Sequence, residues 1–208
     1  MIKKGIILAG GLGTRLSPVT KSVSKQLLPV YDKPLIFYPL SVLMLCNIRN
    51  ILIIVKKGEK ENFQKALGET NDLGIKIQFK EELKATGIPE AFVIGEHFIQ
   101  DSCVSLILGD NFFYGQGLSE ILKKSFSLRN GACIFTYPIN NPENFGIVER
   151  TKKRKKFRII EKPKKTRSNL AITGLYLFDK KVVRYAKTIK TSKRNETEIV
   201  DLINIYNK

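Results

Sequence analysis

A chain of 208 residues with a hydrophobic fraction of 43% can bury one sizeable core, and its length requires no second domain. Its formal charge of +17 raises nucleic acid or an acidic membrane as a partner. No apolar run approaches the ~18 residues that span a bilayer, and the stretch after Met1-Ile2-Lys3-Lys4 is too short for a signal-peptide core; a cytoplasmic protein without membrane contact is therefore expected. Cys46, Cys103 and Cys133 are too scattered for a disulfide framework or zinc site and fit buried reduced thiols. His97 is the sole histidine, which argues against a His-based triad.

The first element is Gly5-Ile6-Ile7-Leu8-Ala9, an unbroken apolar run that reads as a strand buried on both faces. Glycines begin where it ends. Gly10, Gly11 and Gly13 carry no Cβ and tolerate positive φ, so backbone N–H groups there can converge on a phosphate, with Arg15 and Lys25 adding positive charge nearby. A glycine-rich turn without a ligand is the alternative for the glycines alone. Two familiar nucleotide loops are excluded by spacing: Leu16 stands where the dinucleotide fingerprint needs its third glycine, and no lysine follows Gly13 as a Walker loop would require.

Pro34 suits the first turn of a helix, and Ile36, Leu40, Leu43 and Met44 give it an apolar stripe. Ile51 to Val55 reads as a second buried strand, Glu59 to Leu67 as a surface helix, Ile75 to Phe79 as a third strand, and Gly87 to Gln100 as holding a helix. Val104 to Leu108 is a strand ending in Gly109-Asp110-Asn111. Asp110 thus stands past the carboxyl end of a buried strand, where α/β sheets bind ligands, placed either to hold a hard cation or to cap a helix. Leu118, Ile121 and Leu122 form a further helix face, and Ala132 to Tyr137 a further strand.

Two short strands follow, Glu143 to Glu149 and Phe157 to Pro163, expected to pair as an antiparallel hairpin. The run from Arg150 to Arg167 holds eleven Lys or Arg among eighteen residues and supplies +10 of the net charge. No known binding module accompanies it, so a solvated basic hairpin is expected and a nucleic-acid partner is not. Ala171 to Tyr176 reads as a strand, and Ile199, Leu202, Ile203 and Tyr206 as the inward face of a last helix. Alternating strands and helices predict an α/β fold: a mostly parallel central sheet with helices on both faces, plus the small hairpin.

Taken whole, G-G-x-G-T-R-L-x-P-x-T followed by S-K-Q-L-L-P-V-Y-D-K-P resembles the signature of the sugar-nucleotide pyrophosphorylases, most closely the glucose-1-phosphate thymidylyltransferases. The segments at 108–115, 143–149, 161–163, 171–176 and 196–201 extend the resemblance over nearly the whole chain. It implies one nucleotidyltransferase domain over residues 1–208 that joins dTTP to α-D-glucose 1-phosphate and releases pyrophosphate, in supply of dTDP-rhamnose and surface polysaccharide. It also implies Mg²⁺ as cofactor, held by Asp110, and a homo-oligomer. By the same resemblance Gly10, Gly11, Gly13, Thr14, Arg15, Lys25, Gln26, Glu82 and Gly87 meet the nucleotide. Asn111, Gly146, Glu161, Lys162, Ile172 and Thr173 meet the sugar phosphate, and Arg15, Lys25 and Lys162 act in catalysis.

Two departures from the family pattern carry expectations. Glu82 stands where relatives have a glutamine, which implies poorer base discrimination, since an ionised carboxylate accepts but cannot donate. The sequence ends at Lys208, before the family's W-x-D-T-G segment with its second metal-binding carboxylate. Impaired turnover with surviving nucleotide binding is the expectation, with an inactive nucleotide-binding relic or a pyrophosphorylase of altered base choice as the alternatives.

Overall fold

The structure is a computed structural model that describes residues 1–11, 13–68, 73–150, 157–192 and 194–207. In chain order it contains β1 (Lys4–Ala9), the short strands β2 (Pro29–Val30) and β3 (Lys33–Pro34), α1 (Phe37–Leu45), β4 (Asn50–Lys56), α2 (Lys60–Leu67) and β5 (Lys76–Glu82). Next come α3 (Glu90–Ile94), α4 (Glu96–Ile99), β6 (Val104–Leu108), α5 (Leu118–Ser125) and β7 (Ala132–Pro138). The last elements are β8 (Gly146–Arg150), β9 (Phe157–Glu161), β10 (Leu170–Phe178), α6 (Val182–Ala186) and α7 (Ile199–Tyr206). Part of the basic run, residues 151–156, lies outside the described residues.

The large sheet has the order β5-β4-β1-β6-β10-β8-β9, with β7 paired to β10. Its first four strands are parallel, as the alternation of strands and helices predicts, whereas β10 joins β6, β7 and β8 antiparallel and β8–β9 forms the expected hairpin. Helices cover both faces. In β1, Ile6 joins Leu52, Ile54 and Leu106 in a core shared with α3, α4, α6 and α7, while Ile7 joins Ile51, Ile53 and Ile107 in a core under α1, α2 and α5. Period-two alternation with both sets apolar is what produces two cores from one sheet.

Several local expectations are corrected. Pro34 does not open a helix: it pairs in β3 against β2, and the next two amides are used on the preceding segment, Leu35 N donating to Leu28 O and Ile36 N to Gln26 O. α1 therefore starts at Phe37. The 87–100 helix is two short ones meeting at Gly95, where a Cβ would lie 3.1 Å from Ile6 Cδ1 and 3.3 Å from Leu52 Cδ2; the missing side chain lets the chain press onto the sheet. Ile121 faces solvent, and α5 is anchored through Leu122 instead. The α7 residues Ile199, Leu202 and Ile203 are buried as expected, with Val200 added and Tyr206 half-buried against Phe178 and Tyr185. All three cysteines are free, but only Cys46 is fully buried.

Sheet register positions the site. Leu8 of β1 pairs with Leu108 of β6, and Gly109 N donates to Leu8 O at 2.8 Å, so the glycine loop and Asp110 leave the sheet side by side. Lys56 of β4 pairs with Glu82, bringing the end of β5 to the same edge. On the other side Leu175 of antiparallel β10 pairs with Ile107, and Gly174 N donates to Asn111 Oδ1 at 3.0 Å.

Candidate active site

Three adjoining cavities lie along this carboxyl edge. The smallest, about 270 Å³, is walled by Gly11, Gly13, Thr14, Arg15, Lys25, Gln26 and Asp110. The middle one, about 330 Å³, shares Gly11, Gln26 and Asp110 with it and adds Glu82, Gly87, Glu161 and Lys162. The third, about 500 Å³, shares Glu161 and Lys162 with the middle one and adds Asn111, Gly146, Ile172 and Thr173. Every residue singled out from the sequence lines one of these cavities except Gly10, which backs them.

Gly10 is needed for close approach: a Cβ there would lie 2.1 Å from Glu82 Oε2. Gly13 has φ 61° and abuts Thr20, whose Oγ1 donates to Gly13 O at 2.9 Å. The short helical turn Thr14–Leu16 then carries Arg15 outward, exposed to solvent. Lys25 opens another such turn and reaches Asp110, Nζ to Oδ2, at 2.9 Å. The other carboxylate oxygen accepts from Asn111 Nδ2 at 3.2 Å. Gln26 is only 3% exposed, and its Oε1 is a buried acceptor without a donor. A buried acceptor left unpaired costs stability, so this oxygen is suited to a ligand donor.

The third cavity is built on the β8–β9 hairpin, on β10 and on the start of α7. Lys162 adopts φ 41°, its amide bound to Phe145 O at 3.0 Å, which turns the chain sharply at the end of β9. Glu161 accepts from Arg194 Nη2 at 3.0 Å, and that same nitrogen donates to Glu198 Oε2 at 2.6 Å. Burial first and repulsion from Glu198 second push the Glu161 carboxyl up, against the pull of Arg194 and Lys162. The family resemblance covers Thr197 and Glu198 through the 196–201 segment without giving them a site role, and no motif covers Arg194. They reach the site through long-range contacts such as Thr197 N to Thr86 O at 2.7 Å and Arg194 Nη2 to Glu161 Oε1 at 3.0 Å.

Glu82 is 5% exposed, deeper than a simple surface contact would be. Burial pushes its carboxyl up, aided by Glu90 and opposed by a backbone hydrogen bond at Thr86. A neutral carboxyl can donate as well as accept, so the shift works against the loss of a donor expected from glutamate. Because the folded state holds this proton more tightly than the unfolded chain, the contribution to stability is full at low pH and lost as pH rises through the raised value. Glu82→Gln has no such proton to lose. Its melting temperature relative to the wild type should therefore rise between about pH 4 and about pH 7; a constant difference across that range would show that Glu82 ionises as an ordinary carboxylate.

Among the described residues neither Arg15 nor Lys162 forms an ion pair, and no three metal-ligating side chains cluster. Asp110 does present a hard oxygen donor within the cavity of the glycine loop. One carboxylate fits a cation that takes its remaining ligands from phosphates and water. A strand-to-glycine-loop cradle, flanking cations and one carboxylate at the carboxyl edge of a sheet define a site for transferring phosphate-linked groups.

The class is that of the nucleotidyltransferases: the family profile described as Nucleotidyl transferase matches residues 4–208. The chain is 50% identical over 203 residues to a glucose-1-phosphate thymidylyltransferase of Neisseria meningitidis, covering 98% of this chain and 70% of that protein. It is 50% identical over 204 residues to the corresponding Xanthomonas campestris enzyme, covering 98% and 69%. Among solved structures, a Bacillus anthracis protein assigned as a glucose-1-phosphate thymidylyltransferase, in complex with sucrose, matches with TM-score 0.87 and 38% identity over 98% of this chain and 82% of that one. A UDP-glucose pyrophosphorylase bound to UDP-glucose shares the fold, with TM-score 0.83 at 23% identity over 99% and 86% of the two chains. The protein belongs to the nucleotidyl transferase family and, within it, to the glucose-1-phosphate thymidylyltransferases.

Proposed function

We propose that the protein joins dTTP and α-D-glucose 1-phosphate to give dTDP-glucose and pyrophosphate. The observation that carries this reading is the continuity of the three cavities, through Gly11, Gln26 and Asp110 on one side and Glu161 and Lys162 on the other. The glycine loop with Arg15 and Lys25 receives the triphosphate, and the base lies toward Glu82 and Gly87. The sugar lies among Asn111, Gly146, Glu161, Ile172 and Thr173, its phosphate against Lys162. An oxygen of the sugar phosphate attacks the α-phosphorus, the α–β bridging bond breaks, and pyrophosphate leaves. No side chain needs to act as nucleophile; alignment and charge neutralisation supply the rate.

Arg15 and Lys25 offset charge that builds on the departing pyrophosphate, while Lys162 holds the two reacting phosphates against their mutual repulsion. Asp110 and phosphate oxygens would hold Mg²⁺, which when bound screens the phosphate charges. We read residues 1–208 as one nucleotidyltransferase domain that works in the cytoplasm as a homo-oligomer. The reading is tested by pyrophosphate release from dTTP and glucose 1-phosphate with Mg²⁺, alongside UTP. Release from dTTP well above that from UTP is expected. Equal release would favour an enzyme of relaxed base choice through Glu82, and none from a folded sample that binds dTTP would favour a nucleotide-binding relic.

A further inference from the structure

Both oxygens of the Asp110 carboxylate are already engaged, Oδ2 by Lys25 Nζ at 2.9 Å and Oδ1 by Asn111 Nδ2 at 3.2 Å. Asn111 is itself fixed, because its Oδ1 accepts the Gly174 amide. Lys25 is the movable partner. Its base packs near Gly13, where a Cβ would come within 3.4 Å of Lys25 Cβ, and its ammonium sits on a flexible four-carbon stem. Asp110, Lys25, Arg15 and the glycine loop all line one cavity of about 270 Å³, so the same ammonium can serve Asp110 or a phosphate bound on the loop.

We propose that Lys25 is a place-holding cation for Asp110, which yields to a divalent cation when the triphosphate arrives, so that cation and nucleotide load with positive coupling; this rests on the function proposed above. The charge balance within the smallest cavity favours an order of this kind. Before nucleotide binds, the cavity carries one carboxylate against Lys25 and Arg15, and a divalent cation would enter an already positive space. Phosphates reverse that balance and give Lys25 a second acceptor, freeing the Asp110 oxygen as they bind. Reciprocity then follows: whatever factor the nucleotide adds to cation affinity, the cation adds to nucleotide affinity.

The test is titration calorimetry of Mg²⁺ into the full chain, with and without dTTP and with no sugar phosphate present. Lys25→Met should bind nucleotide-free Mg²⁺ about tenfold more tightly than the wild type, within the usual range of coupling, and dTTP should improve its Mg²⁺ affinity by a smaller factor. Lys25→Arg, which keeps the charge, should behave like the wild type. Adding Asp110→Asn to Lys25→Met should abolish the gain. Nucleotide-free affinity that is unchanged or weaker in Lys25→Met, or a gain that survives Asp110→Asn, would overturn the proposal. Lys25→Gln takes the place of Lys25→Met if melting curves show that the methionine variant does not fold. Failure of the wild type to bind dTTP would remove the functional reading instead, and the nucleotide-free arm would still decide the role of Lys25.

Discussion

Arg15→Ala is expected to lower turnover by about 10²–10³-fold, the usual cost of removing one electrostatic contact to charge that develops in a transition state. Its melting temperature should hardly move. Arg15 is exposed on a short turn and has no ion-pair partner among the described residues, so the fold derives little from it. Steady-state rates of pyrophosphate release beside a melting curve check both halves. Loss of stability in proportion to activity would make Arg15 structural, and unchanged turnover would place the developing charge elsewhere.

The second large effect is expected at Gly87, and it is structural in origin. This residue has φ +118°, and a Cβ would lie 2.0 Å from Thr197 O and 2.8 Å from Thr197 N, both backbone atoms that cannot turn aside. Gly87→Ala must therefore push apart the 85–88 loop and the segment leading into α7, breaking the contact from Thr197 N to Thr86 O. A cost of about 3 kcal/mol is expected from strain and overpacking together, or about 6–12 °C in melting temperature for a chain of this size. dTTP binding should weaken as well, since both segments wall the middle cavity. Gly58→Ala is the control: φ is +83° there, but nothing lies within 4 Å of the added Cβ. Similar losses in the two variants would show that backbone strain alone, and not the contact with Thr197, governs Gly87.

Much of the site could be read before the fold because its parts are local. The glycine loop begins at the residue after a buried strand, and Asp110 lies two residues past the end of another; each arrangement is written within a few consecutive positions. Glu82 was legible as a position but not as a chemical state, since its raised carboxyl reflects burial against Gly10 and the nearness of Glu90. Arg194 was not legible at all. It stands in a basic stretch of a lysine-rich chain, and only its bridge between Glu161 and Glu198 separates it from a solvated surface charge.

The sequence by itself determined the strands of the large sheet, the glycine loop and the family, because apolar runs, missing side chains and motif spacing are properties of neighbouring residues. Only the tertiary structure decided where helices begin and break, and which distant groups meet. α1 starts after Pro34 because the amides of Leu35 and Ile36 are used on an earlier segment, and the 87–100 helix breaks where Gly95 presses onto Ile6 and Leu52. Lys25 and Asp110 are 85 residues apart in sequence and 2.9 Å apart in space. The parallel register of β1 and β6 delivers the glycine loop and Asp110 to one edge of the sheet, where the turn Lys25–Leu27 packs against Gly13. Such register is set by packing on both faces at once, and no window of sequence contains it.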